Sequence, residues 1–253
     1  MSTCLVGSEM CIRDSLIWVR RRGSPMEAVD VGGLHPSLAA TVILHAARNG
    51  QPVSGIAPAA RRLAEVRDAL GASVVVESNQ AAVHLSGPDE DHRLMLARGD
   101  DVLTLIPRDV LPTMSSDLWP TLYLDDRARD GWWVAEHDVV DALLALASGP
   151  FPTATMVLSG RRLWQTGELL REAAMLHRRW EAGQHGAFSA EVLAEPQRPP
   201  VQVRAVTSVE DEPDLAPLHD LMLTRRQEGW RPQMTVREAL MHHLALLESI
   251  KRT

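Results

Sequence analysis

Apolar positions along this chain come in short runs separated by polar turns, and their spacing changes between two periods. Ala40-Thr41-Val42-Ile43-Leu44 is a β-branched apolar run and predicts a buried strand over 40–44. Asn49-Gly50 and Pro52 then predict a loop. Over 57–70 the period becomes helical: Leu63, Val66, Ala69 and Leu70 share one side, Arg61, Arg62, Glu65 and Asp68 the other, and Gly71 stops the helix. A second strand is predicted over 73–76, a short helix over 89–97, and a third strand over 101–106 that Pro107 ends. Strands of continuous apolar character alternating with helices predict a parallel sheet covered on both faces.

Farther along, Val139, Ala142, Leu143 and Leu146 give a helix over 138–147, and Ala154 to Leu158 a strand. Leu169, Leu170, Ala173, Leu176 and Trp180 form the inner face of a helix over 167–181. Residues 201–206 alternate as a half-buried strand, and 210–214 form an acidic loop. The last helix begins at Thr235, whose hydroxyl can cap while Glu238 reaches back, a capping box. The fold class expected is therefore α/β.

Composition alters the picture at one end. The 253 residues suffice for one large domain, or one plus a small lobe. The first 25 residues show no helical or strand period and resemble translated sequencing-adapter sequence. Arg20, Arg21 and Arg22 follow their apolar residues, the reverse of a signal peptide. Setting them aside removes both cysteines, Cys4 and Cys11, and with them any disulfide, thiolate metal site or Cys nucleophile. The body then carries 22 basic against 31 acidic residues, which argues against a nucleic-acid surface. No apolar run reaches the ~18–20 residues a membrane span needs.

Several stretches, in order, resemble the extended short-chain dehydrogenase/reductases, the NAD-dependent epimerases and dehydratases. Val42-Ile-Leu-His-Ala-Ala47 and Val74 to Val83 are similar to that family's His-Leu-Ala-Ala strand end and its Ser-rich strand end, with the His and Leu order swapped. Leu105-Ile-Pro-Arg-Asp-Val110 and Trp133 to Ala142 resemble its Leu-Arg-Pro-x-Asn-Val and Phe-Val-x-Val-Asp-Asp-Val-Val-x-Ala segments. Asp220, Gly229-Trp230-Arg-Pro232 and Thr235 to Leu240 resemble its closing Gly-Trp-x-Pro and helix, with Leu223 where the family has Lys. The resemblance implies a Rossmann-like parallel sheet lacking its first βαβ unit, with a smaller C-terminal α/β lobe. The expected division is a leader over 1–25, a Rossmann-type remainder over 26–115 and a substrate-lobe part over 116–253. It also implies a cytoplasmic protein, NAD or NADP as cofactor, His45, Ala46, Ala47, Ser78 and Pro107 beside it, and a nucleotide-sugar-like small molecule as ligand. A homodimer is compatible with it, and neither nucleic acid nor membrane is an expected partner.

The family's chemistry departs from this chain at its centre. A Tyr-x-x-x-Lys helix puts both side chains on one face, and the Lys charge lowers the Tyr pKa so that a phenolate can act as base. The chain has one Tyr, Tyr123, and one Lys, Lys251, so the motif occurs nowhere in it. Asp89 and Arg93 stand at the matching positions, expected as a helix-surface ion pair, and Gln80 occupies the Ser position. Gly32-Gly33, the only candidate for a dinucleotide turn, lacks a third Gly and is expected in an ordinary loop. No catalytic residue is therefore assigned, and the chain is expected to be inactive. The alternative is a non-catalytic descendant that binds a nucleotide or a protein.

Other chemistry is weaker still. His242 and His243 are adjacent, hence about 100° apart on a helix, and no His-x-x-x-His occurs, so no metal site is expected. A Gly-x-Ser-x-Gly nucleophile turn is absent. Trp132, Trp133 and Trp230 read as core aromatics, and Asp125-Asp126 with Arg127 and Arg129 as a solvated loop.

Overall fold

The computed structural model describes residues 27–67, 77–114, 118, 130–184 and 212–251. The leader, the predicted strands 73–76 and 201–206, Tyr123 and the 125–129 loop lie outside the described residues.

The chain enters through β1 (Val29–Leu34), continues into α1 (Pro36–Asn49), and returns through the two-residue β2 (Val53–Ser54) to α2 (Pro58–Arg67). Three strands follow: β3 (Val83–Gly87), β4 (Leu94–Arg98) and β5 (Asp101–Pro107). A small parallel pair, β6 (Val110–Leu111) and β7 (Val134–Ala135), leads into α3 (Glu136–Ala147) and β8 (Ala154–Leu158). The helices α4 (Thr166–Gln184), α5 (Ala216–Leu223) and α6 (Val236–Lys251) are the last of the described elements. The main sheet has the order β2-β1-β3-β4-β5-β8. β1 is parallel to β2 and β3, β4 runs antiparallel to both its neighbours, and β5 is parallel to β8. The α/β class is borne out, in a mixed sheet whose pairings are mostly parallel.

Three expectations need correction. Residues 40–44 are not a strand but the middle of α1. Pro36 opens that helix at a position where its missing N–H costs nothing, the His35 side chain caps it, and Gly50 closes it at φ 65° in the left-handed region. Every residue from Ser37 to Ala46 is buried, so the helix is apolar on nearly all sides. Such a helix shows no 3.6-residue stripe, and its β-branched centre mimics a buried strand. The three predicted strands are therefore not parallel neighbours: 40–44 is helical, and β5 lies between antiparallel β4 and parallel β8.

Residues 89–97 are not a helix either. The Asp89 carboxylate accepts the backbone N–H groups of Asp91 (3.0 Å) and Arg93 (2.7 Å), a local side-chain turn that diverts the chain from helix. β4 follows with Leu94 and Leu96 buried and Met95 and Ala97 half-buried. This alternation recurs in β1, β3 and β5, which gives the third correction. Among the described residues, one face of the sheet is packed into the main core and the other is not. Val29, Val31, Val83, Leu85, Leu94, Leu96, Leu103 and Leu105 join buried residues of α1, α2, α3 and α5 in one core. The opposite face carries Asp30, His84, Ser86, Met95, Val102, Thr104 and Ile106, half-buried or exposed. A second, smaller core joins Leu111, Trp133 and Ala135 to Leu169, Ala173 and Leu176 of α4 and Ala239, Leu240 and Leu244 of α6.

The remaining expectations agree. The helix over 57–70 is α2 as far as it is described, although Val66, expected on its inner side, is exposed and Ala60 and Ala64 are buried instead; β5, α3, β8 and α4 fall where the pattern puts them. Thr235 and Glu238 form the capping box: the Glu238 carboxylate accepts from the Thr235 N–H and hydroxyl (both 2.8 Å), and the Glu238 N–H donates to Thr235 Oγ1 (3.2 Å). Trp133 and Trp230 are core residues, and Trp230 donates its indole N–H to the Ser159 carbonyl (3.0 Å).

Candidate functional site

The residues singled out from the sequence do not converge. Ser78 donates its amide to the Val53 carbonyl (2.9 Å) at the β2 edge, and its hydroxyl is spent within its own turn on Gln80. Pro107 ends β5 and pairs with Leu158 of β8. Four strand spacings separate β2 from β5 in the sheet order, about 19 Å at ~4.8 Å each. Asp89 and Arg93 are exposed and meet through backbone hydrogen bonds, not as the expected side-chain ion pair; the Arg93 guanidinium meets Asp91 instead, at 2.7 Å. His45, Ala46 and Ala47 sit on the last turns of α1, with Ala46 buried in the core and the Ala47 carbonyl accepting the N–H of Gly50.

Gly32-Gly33 also differs from expectation. Both lie inside β1, not in a loop, where the β1–β3 register shifts between Asp30 and Gly33. A Cβ on Gly33 would stand 2.7 Å from the Leu85 carbonyl oxygen and 2.9 Å from Ser86 Cβ. The missing side chain thus lets β1 lie against β3; it does not open the backbone to a phosphate. The helix that follows is closed as well. Pro36 has no N–H, the Ser37 N–H points at His35 Nδ1 (3.3 Å), and Arg67 covers the first turn through the Ser37 carbonyl (2.7 Å) and hydroxyl (2.6 Å). A pyrophosphate needs free N–H donors at such a terminus, so these residues do not fit a dinucleotide.

What the fold does bring together is a polar cluster at the start of α3, where α1, α6 and the 112–114 segment meet. Glu136 is fully buried, yet well supplied with donors: Thr113 N–H (2.9 Å), Met114 N–H (2.9 Å) and Thr41 hydroxyl (3.2 Å). Beside it, the His137 imidazole meets the Thr113 hydroxyl through Nδ1 (2.5 Å). Its ring lies between those of His45, with centroids 4.9 Å apart, and His242, 5.3 Å apart, both tilted. Burial, then the neighbouring imidazoles of His45 and His242 and the Arg48 charge, push the His137 pKa down to about 2. His45 Nδ1 meets Asp141 at 3.2 Å, while its Nε2 is buried with no hydrogen-bond partner.

Asp138 continues the cluster in another direction. Its carboxylate accepts the backbone N–H groups of Gln233 (2.8 Å) and Met234 (3.2 Å), which pins the segment leading into α6. Burial outweighs those donors and pushes its pKa up to about 7. On α6, His243 is buried with Nδ1 on the Pro112 carbonyl (3.0 Å), and burial lowers its pKa. His242 is exposed as a residue although its ring rests on His137. The two adjacent histidines thus point apart, as helical geometry requires. Among the described residues no group of three or more His, Cys, Asp or Glu is arranged to hold a metal ion.

Sequence reasoning passed over Thr41, Thr113, Glu136, His137 and Asp138 as a group. The one signal it had was Glu136-His137-Asp138 placed directly before the apolar run Val139 to Leu146. Three ionisable residues in the first turn of a buried helix must find partners. Chemically, the cluster is well made for holding helices together. Its carboxylates are occupied by backbone donors, and no Ser or Cys stands beside the His45–Asp141 pair among the contacts described.

No protein-family model matches the chain, and no curated protein matches it. Among solved structures, it is similar to one described as a novel NAD-dependent NDP-hexosamine 5,6-dehydratase, TunA, involved in tunicamycin biosynthesis. The identity is 19%, the match covers 57% of this chain and 45% of that one, and the TM-score is 0.31. The chain therefore matches less than half the length of that structure, and the likeness assigns it neither activity nor ligand.

Proposed function

We propose that this chain is a non-catalytic relative of the NAD(P)-dependent sugar-nucleotide epimerases and dehydratases, one that acts by binding and not by turnover. The observation that carries this is the turn at 89–93. Where the family resemblance calls for a helix bearing Tyr and Lys one turn apart, the chain makes a tight turn between antiparallel strands. The Asp89 carboxylate is consumed by two backbone N–H groups of that turn. Neither the Tyr nor the Lys of that chemistry stands in the turn, and the Asp89 carboxylate is committed to holding it.

The bound partner is better sought among proteins than among nucleotide sugars. A sugar nucleotide brings a diphosphate that needs cations or free N–H donors, and the β1–α1 junction offers few of the latter. The sheet face turned away from the main core instead presents Met95, Ala97, Val102, Thr104, Ile106 and Val157 on β4, β5 and β8, beside the Asp30–His84 pair on β1 and β3. Half-exposed apolar surface of that kind favours protein contact.

The test is an epimerase and dehydratase assay against UDP-, GDP- and dTDP-sugars with NAD and NADP in excess, beside calorimetric titration of each cofactor. Neither turnover nor saturable binding is expected. Turnover within about 100-fold of a typical enzyme kcat of ~10 per second would overturn the reading. If Tyr123→Phe then abolished it, Tyr123 would belong to an active site.

A further inference from the structure

We propose that the imidazoles of His45, His137 and His242 form an acid-sensitive latch that holds the C-terminal helix α6 against α1 and α3 at neutral pH and releases it on acidification. The three rings come from three different helices and stand in a row, 4.9 Å and 5.3 Å between centroids, from a buried end at His45 to an exposed one at His242. As neutral rings they pack at tilted angles of 56° and 52°, an attractive arrangement for aromatic groups. As cations, neighbours at this spacing repel one another in a medium of low dielectric constant.

The charges around the row decide where a proton can be held. His45 has the Asp141 carboxylate on Nδ1; at His242 burial lowers the pKa, and the Glu238 carboxylate one helical turn away opposes that shift. Among the described residues the central ring has no such carboxylate partner. It faces the Thr113 hydroxyl, His45 and the Arg48 charge from α1, and His242 from α6. The nearest carboxylates of its own helix are engaged elsewhere: Glu136 on Thr41, Thr113 and Met114, Asp138 on Gln233 and Met234, Asp141 on His45. His243, next along α6, is turned to the Pro112 carbonyl.

The consequence is a linkage between docking and one proton. While α6 is docked, His137 stays neutral well below its ordinary pKa of 6.5. Once α6 leaves, the ring reaches water and can take the proton. With Asp138 still holding Gln233 and Met234, so that its own proton does not change, each pH unit below about 6.5 then favours the undocked form about tenfold. The release is local, because α6 belongs to the smaller core with α4 and leaves the main sheet intact.

Hydrogen exchange reads this directly, since helix opening and strand opening report separately. On the full chain, corrected for intrinsic exchange, amides of α6 are expected to lose roughly 30-fold in protection between pH 6.5 and pH 5. Those of β3, β4 and β5 are expected to lose much less. His137→Gln, which keeps an acceptor for Thr113 and does not titrate, is expected to remove the pH dependence. The proposal is overturned if α6 protection does not change with pH, if the strands lose protection in step with it, or if His137→Gln retains the full loss. A wild-type NMR titration serves if the variant does not fold. The His137 imidazole must stay neutral while α6 amides remain protected, and titration near pH 6.5 with α6 still protected would sink the latch.

Discussion

His137 and Asp138 are neighbours whose proton affinities are moved in opposite directions, and their effects on stability should cancel over a definite pH window. His137 falls from 6.5 to about 2 on folding, so between those values the unfolded chain holds a proton that the folded chain does not. Its contribution is complete above pH 6.5 and is lost as pH falls below it. Asp138 rises from 3.8 to about 7, so here the folded chain holds the extra proton. Its contribution is complete below pH 3.8 and is lost as pH rises towards 7. Between pH 3.8 and 6.5 both act, each with a slope of about 1.4 kcal/mol per pH unit and opposite sign. Replacing one residue at a time should unmask the other. Relative to wild type, His137→Gln should become progressively less stable as pH rises through the window, by on the order of 3 kcal/mol in all. Asp138→Asn, which retains an oxygen for the Gln233 and Met234 N–H groups, should become progressively more stable by a similar amount. Urea unfolding of the three proteins at pH 4, 5 and 6.5 measures this, and taking differences removes the titration of every other group. A difference slope of the same sign for both variants would refute the reasoning. A slope for Asp138→Asn of reversed sign would mean that the two backbone donors outweigh burial and keep the carboxylate charged.

Glu136→Ala should destabilise the protein by about 3 kcal/mol or more in equilibrium unfolding, because the buried N–H groups of Thr113 and Met114 lose the carboxylate they donate to; a loss under about 1 kcal/mol would show that water or another group replaces it. Thr235→Ala should cost about 1 kcal/mol and increase exchange at the first turn of α6, since the Thr235 hydroxyl and the Glu238 carboxylate close that helix end reciprocally. The same donors hold the Glu238 pKa below its ordinary value, so their contribution is present above the usual carboxylate range and fades as pH falls through it.

What could be read from the sequence was what short-range chemistry decides. The inner face of α4 and the Thr235–Glu238 box involve residues a few positions apart and stand as expected; α2 is helical where its period puts a helix, but Val66 is exposed and Ala60 and Ala64 are the buried residues. β5 and β8 were legible as apolar runs of strand length. α1 was not, because a helix buried on nearly every side carries no polar stripe; its readable signals were the flanking Pro36 and Gly50. β4 was missed because Asp89 satisfies the amides of Asp91 and Arg93, which turns a segment of helical composition into a strand entry. The cluster around Glu136 was illegible for a different reason. Thr41 and Glu136 lie 95 positions apart, and no local pattern announces that a hydroxyl in α1 will meet a carboxylate in α3.

The placement of that cluster also bears on function. In open α/β sheets a ligand is met beyond the carboxyl ends of the strands, where backbone donors and loop side chains point into a crevice. Here the corresponding groups are largely engaged within the protein. The His35 amide donates to the Gly87 carbonyl at the ends of β1 and β3, and the Arg108 amide to the Leu158 carbonyl at the ends of β5 and β8. The buried ionisable groups stand instead at the junction of α1, α3 and α6. Burying them is costly unless each is partnered, and the partners found are mostly backbone amides of segments that would otherwise be loosely held. Thr113 and Met114 are fixed by Glu136, and Gln233 and Met234 by Asp138. Both carboxylates belong to the first turn of one helix, so α3 organises two separate chain segments around itself. That arrangement specifies where α6 sits, and it makes the position of α6, more than any strand-end crevice, the property of this fold that protonation can change.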